Sequence, residues 1–551
     1  MKFLGLLFCF FWSFCISQVQ QGERFYFYVN IDEFETLDIS TKSDGTKKIF
    51  NDTNSKETNI YNNYIVYSLE LAYPNTDNKN LKTSYKIVTN SKNLVFELQS
   101  AYPKKYTRII EFFPPEKAFY PNDYGNTSPK ENLGNPYSSE DLDLINAPGA
   151  WAITKGDKKV IIGISDSRID TLNPDMQGRI LKDLYTETTL KKSKFDHGTN
   201  VAGIAIARMD NAYGRPGICS ECSVIAHRYG SFKQIEELVA AGAKVINASW
   251  ASCQSGGKLF DSINNRINEY YDDGIIIVAA AGNGRDCDRD RNSYGDLLYP
   301  ASYDKVISVS GVYAKNRFIE DDFYHKDGID YTFKFVDRRN YALAIDSLGN
   351  LSPSDKNDGL QLNTAVDLMA PRESYLLGND LEGKEVKYGG ASSSSAPYVV
   401  GLIGLMWSVN YCLSAYEIES ILKLTSANIE DLPGNEPFKG MLGAGRIDAY
   451  QAVKMAQEMK FENGNVIVSN RTFYRFNFKL ERALNTITIE NEGFTEDATV
   501  DFSARKKIII KPNSHFKPNA KGFIKLSINP EIPNEECFPT PPKKYSPIYK
   551  Q

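Results

Sequence analysis

Three residue types that together make an activated nucleophile are spread along this 551-residue chain. Asp166 closes the apolar run VIIGISD, His197 opens the small-residue block HGTNVAG at 197–203, and the serines at 392–395 precede the apolar stretch 396–409. A serine hydroxyl attacks poorly until a base removes its proton. An imidazole can do this near neutral pH, and a carboxylate can fix the imidazole's tautomer and steady its cation. Taken singly, each group has an ordinary explanation: an Asp after a strand caps a helix, an isolated His is structural, and a serine run is a loop. The combination, in this order and each at a strand–helix junction, points to nucleophilic catalysis. His227, His325 and His515 lack such a context and read as structural.

Groups gathered in this way need a scaffold that delivers them to one edge, and an open parallel sheet does so beyond the carboxyl ends of its strands. Residues 160–164, 245–246 and 275–278 are short, continuous apolar runs, the signature of strands buried on both faces. Helical patterns at 197–207 and 259–271 separate them. The expected core is therefore an α/β, doubly wound parallel sheet, placed at 142–458. Upstream, residues 25–31, 64–71, 94–98 and 109–113 are aromatic, extended stretches between Asn/Lys/Ser-rich connections, which predicts a β-rich N-terminal domain over 18–121. Residues 122–141, dense in Pro, Asn, Gly and Ser, read as a linker. Downstream, 485–490, 498–502 and 508–510 return to a β pattern, giving a small β-rich C-terminal domain over 459–538 and a Pro/Lys-rich tail, 539–551, expected to be mobile.

With these motifs in place the chain resembles the subtilisin-like serine proteases, the subtilases, over residues 144–454. The family's chain order of Asp, His and Ser is met by Asp166, His197 and Ser393. HGTNVAG is complete, AAGN ends at Asn283, and INAPGAW (145–151), YPAS (299–302), VDLMAP (366–371) and GAGRIDA (443–449) follow in the family's order. The resemblance implies a doubly wound sheet of subtilisin type. It also implies a serine endopeptidase in which Asp166, His197 and Ser393 form the triad and Asn283 serves the oxyanion hole. Ser249, Trp250 and Ala251 match the family's substrate-binding edge, and the N-terminal domain stands where a propeptide would. Two positions depart from the pattern: Arg168 stands where Gly is usual, and Ala391 likewise. Counting forward from Gly390 selects Ser392 as nucleophile, whereas counting back from Pro397 selects Ser393; the uninterrupted PYVVG continuation favours Ser393. A catalytically inactive subtilase fold that binds protein, or a surface adhesin working through its terminal domains, is the rival reading.

Composition bounds the rest. Asp+Glu 69 against Lys+Arg 64 leaves a net charge of −5, too small and dispersed for a nucleic-acid partner. Protein or peptide substrates, and the chain's own propeptide, are the expected partners. Lys2 followed by the apolar residues 3–16 reads as a signal peptide, residues 1–17, shorter than the roughly 20 apolar residues that span a bilayer. No transmembrane anchor is expected after its removal, and the mature protein is expected to be secreted. In an oxidising space the remaining cysteines favour disulfides. Cys219 and Cys222 suit a local bridge, and Cys253 and Cys287, each following a buried strand, suit another. No cofactor is needed for the chemistry. The Asp/Arg run at 285–291 has carboxylates for a structural calcium ion, but its interleaved charges are those of a solvated loop, and no metal ligand is assigned.

Overall fold

The computed structural model describes residues 25–548 apart from 35–36, 42–46, 53, 72–82, 92, 112–117, 126–132, 134–138, 186–196, 254–257, 284–294, 315–323, 327–328, 332–359, 374–376, 380–384, 388–389, 433–434 and 436–437. Contacts divide the chain into two compact units near residue 113. The expected signal peptide, Cys287 and the run 285–291 lie outside the described residues.

The N-terminal unit runs β1 (Phe25–Ile31), α1 (Lys56–Asn62), β2 (Val66–Leu71), β3 (Ser84–Thr89), α2 (Asn93–Ala101) and β4 (Tyr106–Glu111). Its antiparallel sheet has the order β2-β3-β1-β4, the βαββαβ arrangement of ferredoxin-like folds. Phe27, Val29 and Ile31 alternate into a core shared with Ile87, Leu94 and Leu98. Residues 94–98, expected to be extended, lie in α2: Leu94, Val95 and Leu98 form one buried helical face, and a short apolar run does not declare its own period. This unit is thus α+β: three of the four expected stretches contribute to its sheet, the internal strand β3 is not among them, and two helices are added.

In the second unit, β5 (Ile161–Asp166), β6 (Ile180–Asp183), α3 (His197–Ile206), β7 (Ser223–Arg228), α4 (Phe232–Ala240), β8 (Val245–Ala248), α5 (Lys258–Asp272), β9 (Ile276–Ala280), β10 (Val306–Val312), β11 (Leu368–Pro371), α6 (Ser392–Val409), α7 (Ala415–Leu424) and α8 (Ala449–Lys460) follow one another. The seven-stranded sheet has the order β11-β10-β9-β8-β5-β7-β6, parallel throughout. Helices α3, α6 and α8 cover one face and α4 and α5 the other, each with its own apolar cluster. This is the doubly wound α/β architecture expected.

The linker reading is corrected at both ends. Tyr124 is fully buried, edge-on to Trp151, with its hydroxyl on Asp143 Oδ1 at 2.7 Å. Asp141 is 1% exposed and accepts 2.8 and 2.7 Å bonds from Arg215 Nη2. Polar, Gly-rich composition signals a break in periodic structure; it does not exclude burial by specific polar pairing. The tail, expected to be mobile, lies on the second unit as far as residue 548. Tyr545 packs edge-on to Tyr270, Lys543 Nζ pairs with Asp273 at 2.7 Å, and Arg266 Nη2 donates to Ser546 O at 2.6 Å. Cys219 and Cys222 form the local disulfide, and Cys412 pairs with Cys537. Cys253 is also disulfide-bonded.

The C-terminal β region is a parallel solenoid. Its strands are β12 (Asn465–Ser469), β13 (Thr472–Phe473), β14 (Asn477–Ala483), β15 (Thr486–Glu490), β16 (Gly493–Glu496), β17 (Thr499–Ala504), β18 (Lys507–Ile510), β19 (His515–Pro518) and β20 (Phe523–Ile528). They stack as three sheets, β12-β15-β18, β13-β16-β19 and β14-β17-β20. Asn470, Asn491 and Asn513 occupy equivalent corners, all with positive φ, and Asn491 Nδ2 donates to Asn470 Oδ1 at 3.0 Å. The apolar core continues from α7 and α8 into the first two coils. Glu417, in the first turn of α7, accepts 2.9 Å bonds from the backbone N–H groups of Glu481 and Arg482 in β14. The region is therefore fused to the α/β core.

Candidate active site

Parallel strands leave their carboxyl ends on one edge, and three neighbours, β9, β8 and β5, deliver Asn283, Ser249 and Asp166 there. Asp166, the last residue of β5, is 2% exposed. Its Oδ1 meets His197 Nδ1 at 2.6 Å and accepts from Ser167 N at 2.7 Å. With Nδ1 on Asp166, Nε2 is the ring nitrogen that points away from the carboxylate. His197 opens α3, whose second residue must be small: a Cβ on Gly198 would stand 1.9 Å from the Ser167 carbonyl oxygen. Gly198 N instead donates to Ser167 Oγ at 2.8 Å, and Thr199 Oγ1 accepts from Asp170 N at 2.8 Å. The small residues of the 197–203 block thus bind the start of α3 to the loop that follows Asp166.

The serines open α6, which packs against α3. Ser392, Ser394 and Ser395 are buried, whereas Ser393 is partly exposed. Pro397 falls four residues after Ser393, and because proline has no N–H, the Ser393 carbonyl loses its intrahelical donor. That carbonyl accepts from Ser249 Oγ at 2.8 Å, while Ser393 Oγ lies 3.5 Å from the Ser249 carbonyl oxygen. Ser393 is the second residue of the helix, and its backbone N–H is one of the four that a helix does not satisfy from within. Ser392 N and Oγ both donate to Asn283 Oδ1, at 3.1 and 3.0 Å, which fixes Nδ2 as the donor end of that carboxamide. Further along α6, the Tyr398 hydroxyl donates to Asp141 and, at 3.0 Å, to Glu373 O, setting the helix's rotation.

Both departures from the expected pattern have a local account. Ala391 has φ −145° and ψ −171°, extended backbone that any residue adopts, so glycine is not required there. Gly390 is required: its Cβ would fall 1.4 Å from Arg372 O. Arg168 lies over the Tyr185 ring at 5.6 Å and pairs with Asp183 at 3.3 Å. Tyr185 stands outside every motif of the sequence, yet its hydroxyl donates to the Asp166 carbonyl at 2.6 Å and to His227 O at 3.2 Å. A lone tyrosine carries no motif by which to find it.

The expected substrate edge follows β8. Ser249 is buried, Trp250 is partly buried with Nε1 donating to Ser165 Oγ at 3.0 Å, and Ala251 is exposed. Next along, Ser252 and Tyr299 exchange backbone hydrogen bonds of 2.7 and 3.0 Å. Trp250, larger than the family's Leu, is anchored by its indole N–H. Among the described residues no group of three or more His, Cys, Asp or Glu side chains could hold a metal ion.

The model of the subtilase family matches residues 157–445, just over half of the chain. This chain belongs to the subtilase family. This subtilase is 27% identical over 317 residues to the thermophilic serine proteinase of Bacillus sp. (strain AK1), covering 55% of this chain and 64% of that protein. It is 26% identical over 306 residues to the major intracellular serine protease of Bacillus subtilis (strain 168), covering 52% and 78% respectively. The halolysin-like extracellular serine protease Nep of Natrialba magadii is 27% identical over 329 residues, 56% of this chain but 50% of that one. Among solved structures, a protease from Pseudoalteromonas arctica PAMC 21717 aligns with a TM-score of 0.43 and 19% identity, covering 58% of this subtilase and 98% of that chain.

Proposed function

We propose that this subtilase is a secreted serine endopeptidase using Asp166, His197 and Ser393. The observation that carries the reading is the 2.6 Å Asp166–His197 contact, made at the sheet edge where the partly exposed Ser393 opens α6. His197 Nε2 takes the proton from Ser393 Oγ as that oxygen attacks the peptide carbonyl. The tetrahedral oxyanion is met by Asn283 Nδ2 and the Ser393 backbone N–H, donors fixed before the charge develops. The imidazolium then protonates the leaving amine, which departs and leaves an acyl-enzyme. Water, deprotonated by the same imidazole, attacks the ester carbon, and Ser393 recovers its proton as the acid product leaves. Asp166 keeps the imidazole in one tautomer throughout. Substrate binds extended along Ser249, Trp250 and Ala251, adding as a strand.

Two further readings attach to this proposal. The compact N-terminal unit serves as a propeptide, released by self-cleavage. Structural calcium is the one ion proposed, supported by kinship to a protein named calcium-dependent protease in Trichormus variabilis (strain ATCC 29413 / PCC 7937), 25% identical over 346 residues. Labelling with a fluorophosphonate tests the catalytic reading directly, because the probe reacts with an activated serine and not with a structural one. Wild-type and Ser392→Ala proteins are expected to label and Ser393→Ala to stay unlabelled. A wild-type protein that does not label would support the inactive, protein-binding alternative.

A further inference from the structure

The two ends of the C-terminal solenoid differ. Its first coil joins the α/β core, where Leu484 N donates to Met459 O and Arg471 Nη1 donates to Ser426 O. Along the last coil, β18 to β20, no strand among the described residues pairs with the outer edge. By register, Ile508, Ile510, Phe516, Ile524, Leu526 and Ile528 extend the inward ladders of the coil before. In that earlier coil Ile487, Ile489, Phe494, Val500, Phe502 and Ala504 are 0% exposed. All six of their successors are partly or fully exposed, Ile510 and Ile528 at 51% and 50%. A solenoid normally ends in a coil with a polar outer face, and an apolar end with unpaired strands is a template for further strands.

Charge says what fits. Arg505, Lys506, Lys507, Lys511, Lys517, Lys521 and Lys525 fall within residues 505–530, which contain no Asp or Glu. The preceding coil meets three of these lysines with acids: Lys511 with Glu490 at 2.5 Å, Lys521 with Asp497 at 3.7 Å and Lys525 with Asp501 at 2.9 Å. A second copy stacked end to end would set lysines against lysines, so the surface selects against itself. The rule that matches these two coils, applied to the open side, asks for acidic residues next to apolar ones. We propose that the last coil is a docking surface for an acidic extended segment of another protein, whose alternating apolar and Asp/Glu side chains add as strands of a fourth coil. Three strand edges with backbone donors and acceptors in register favour a polypeptide over an anionic lipid surface, which offers no matching ladder.

This inference does not depend on the triad, and it is tested in full-length Ser393→Ala protein so that probe peptides survive. The probes are a fluorescein-labelled peptide of alternating Glu and Ile, its scrambled isomer, its Lys-for-Glu counterpart, and phosphatidylglycerol vesicles. Fluorescence anisotropy is expected to show salt-sensitive binding of the acidic alternating peptide alone. In a Lys507→Glu/Lys517→Glu variant, both positions being exposed, that binding is expected to fall roughly tenfold while thermal unfolding is unchanged. Equal binding of the scrambled isomer, binding untouched by the charge reversals, as capture in the substrate cleft would give, or no binding at all overturns the proposal. Vesicle binding without peptide binding replaces it with a lipid surface.

Discussion

At the scale of single residues, the contrast between Ser392 and Ser393 supports the proposed choice of nucleophile. The two adjacent hydroxyls have different surroundings: Ser392 is buried and spends its N–H and Oγ on Asn283 Oδ1, whereas Ser393 is partly exposed and its carbonyl is held by Ser249. Ser393→Ala is expected to lower kcat by about 10⁶-fold, the magnitude established for nucleophile loss in this family. Asn283→Ala removes one of the two proposed oxyanion donors and is expected to cost about 10²–10³ in kcat with KM little changed. Ser392→Ala loses the Oγ half of the anchor of that donor, keeps the backbone N–H half, and is expected to cost less, about tenfold to 10². The double variant should then be no slower than Asn283→Ala alone, since both act through one carboxamide. Steady-state kinetics on a peptide substrate checks all four. Additive losses would mean that Ser392 acts independently of Asn283.

The elements that carry these residues were legible in the sequence to very different degrees. Asp166, His197 and Asn283 lie in contiguous motifs at the ends of apolar runs, so both residue and element could be read locally. The Asn283–Ser392 and Tyr185–Asp166 contacts join distant segments and leave no local pattern. The solenoid shows the same limit: β15, β17 and β18 contain enough β-branched or aromatic residues to be recognised, but β16 (GFTE) becomes a strand only because β13 and β19 pair with it. Element packing also yields a prediction about pH. Lys244, just before β8, is largely enclosed with its ammonium 4.4 Å from the Trp407 ring, and burial pushes its pKa down to about 8. A base held below its unfolded value binds fewer protons folded than unfolded, so stability rises as pH climbs from about 8 toward the unfolded value near 10.5. Lys244→Met should therefore raise the unfolding free energy at pH 7 by about 1–2 kcal/mol, the ring contacts offsetting part of the burial cost. The gain should shrink toward zero near pH 10. Thermal melts across pH 7–10 measure it, and a destabilised variant at pH 7 would show that the rings and the 3.1 Å bond from Nζ to Gly274 O together more than compensate for burial.

At the scale of the whole molecule, the boundary between the two units predicts where the mature enzyme begins. The change of units near residue 113 falls before the region that composition alone marked as linker. Residues 119–125 already belong to the α/β unit: Phe119 N donates to Pro148 O at 2.8 Å, Asp123 accepts from the N–H groups of Asp210 and Asn211 at 3.2 and 3.3 Å, and Tyr124 is wholly buried. A peptide bond must leave such packing and extend before a protease cleft can hold it, so cleavage within 119–125 is disfavoured. Cleavage within 126–138 would leave Tyr124 and Asp123 bound only by noncovalent contacts. The expected mature N-terminus therefore lies in 112–119, keeping Tyr124 in the enzyme. Because removal of the N-terminal unit is proposed to be self-cleavage, Ser393→Ala protein should retain it and run about 100 residues heavier than wild type. N-terminal sequencing of both purified proteins provides the readout. A wild-type protein that cleaves casein with its N-terminal unit still attached would make that unit a permanent domain, and a start within 126–138 would show that the Tyr124 segment is expendable after folding.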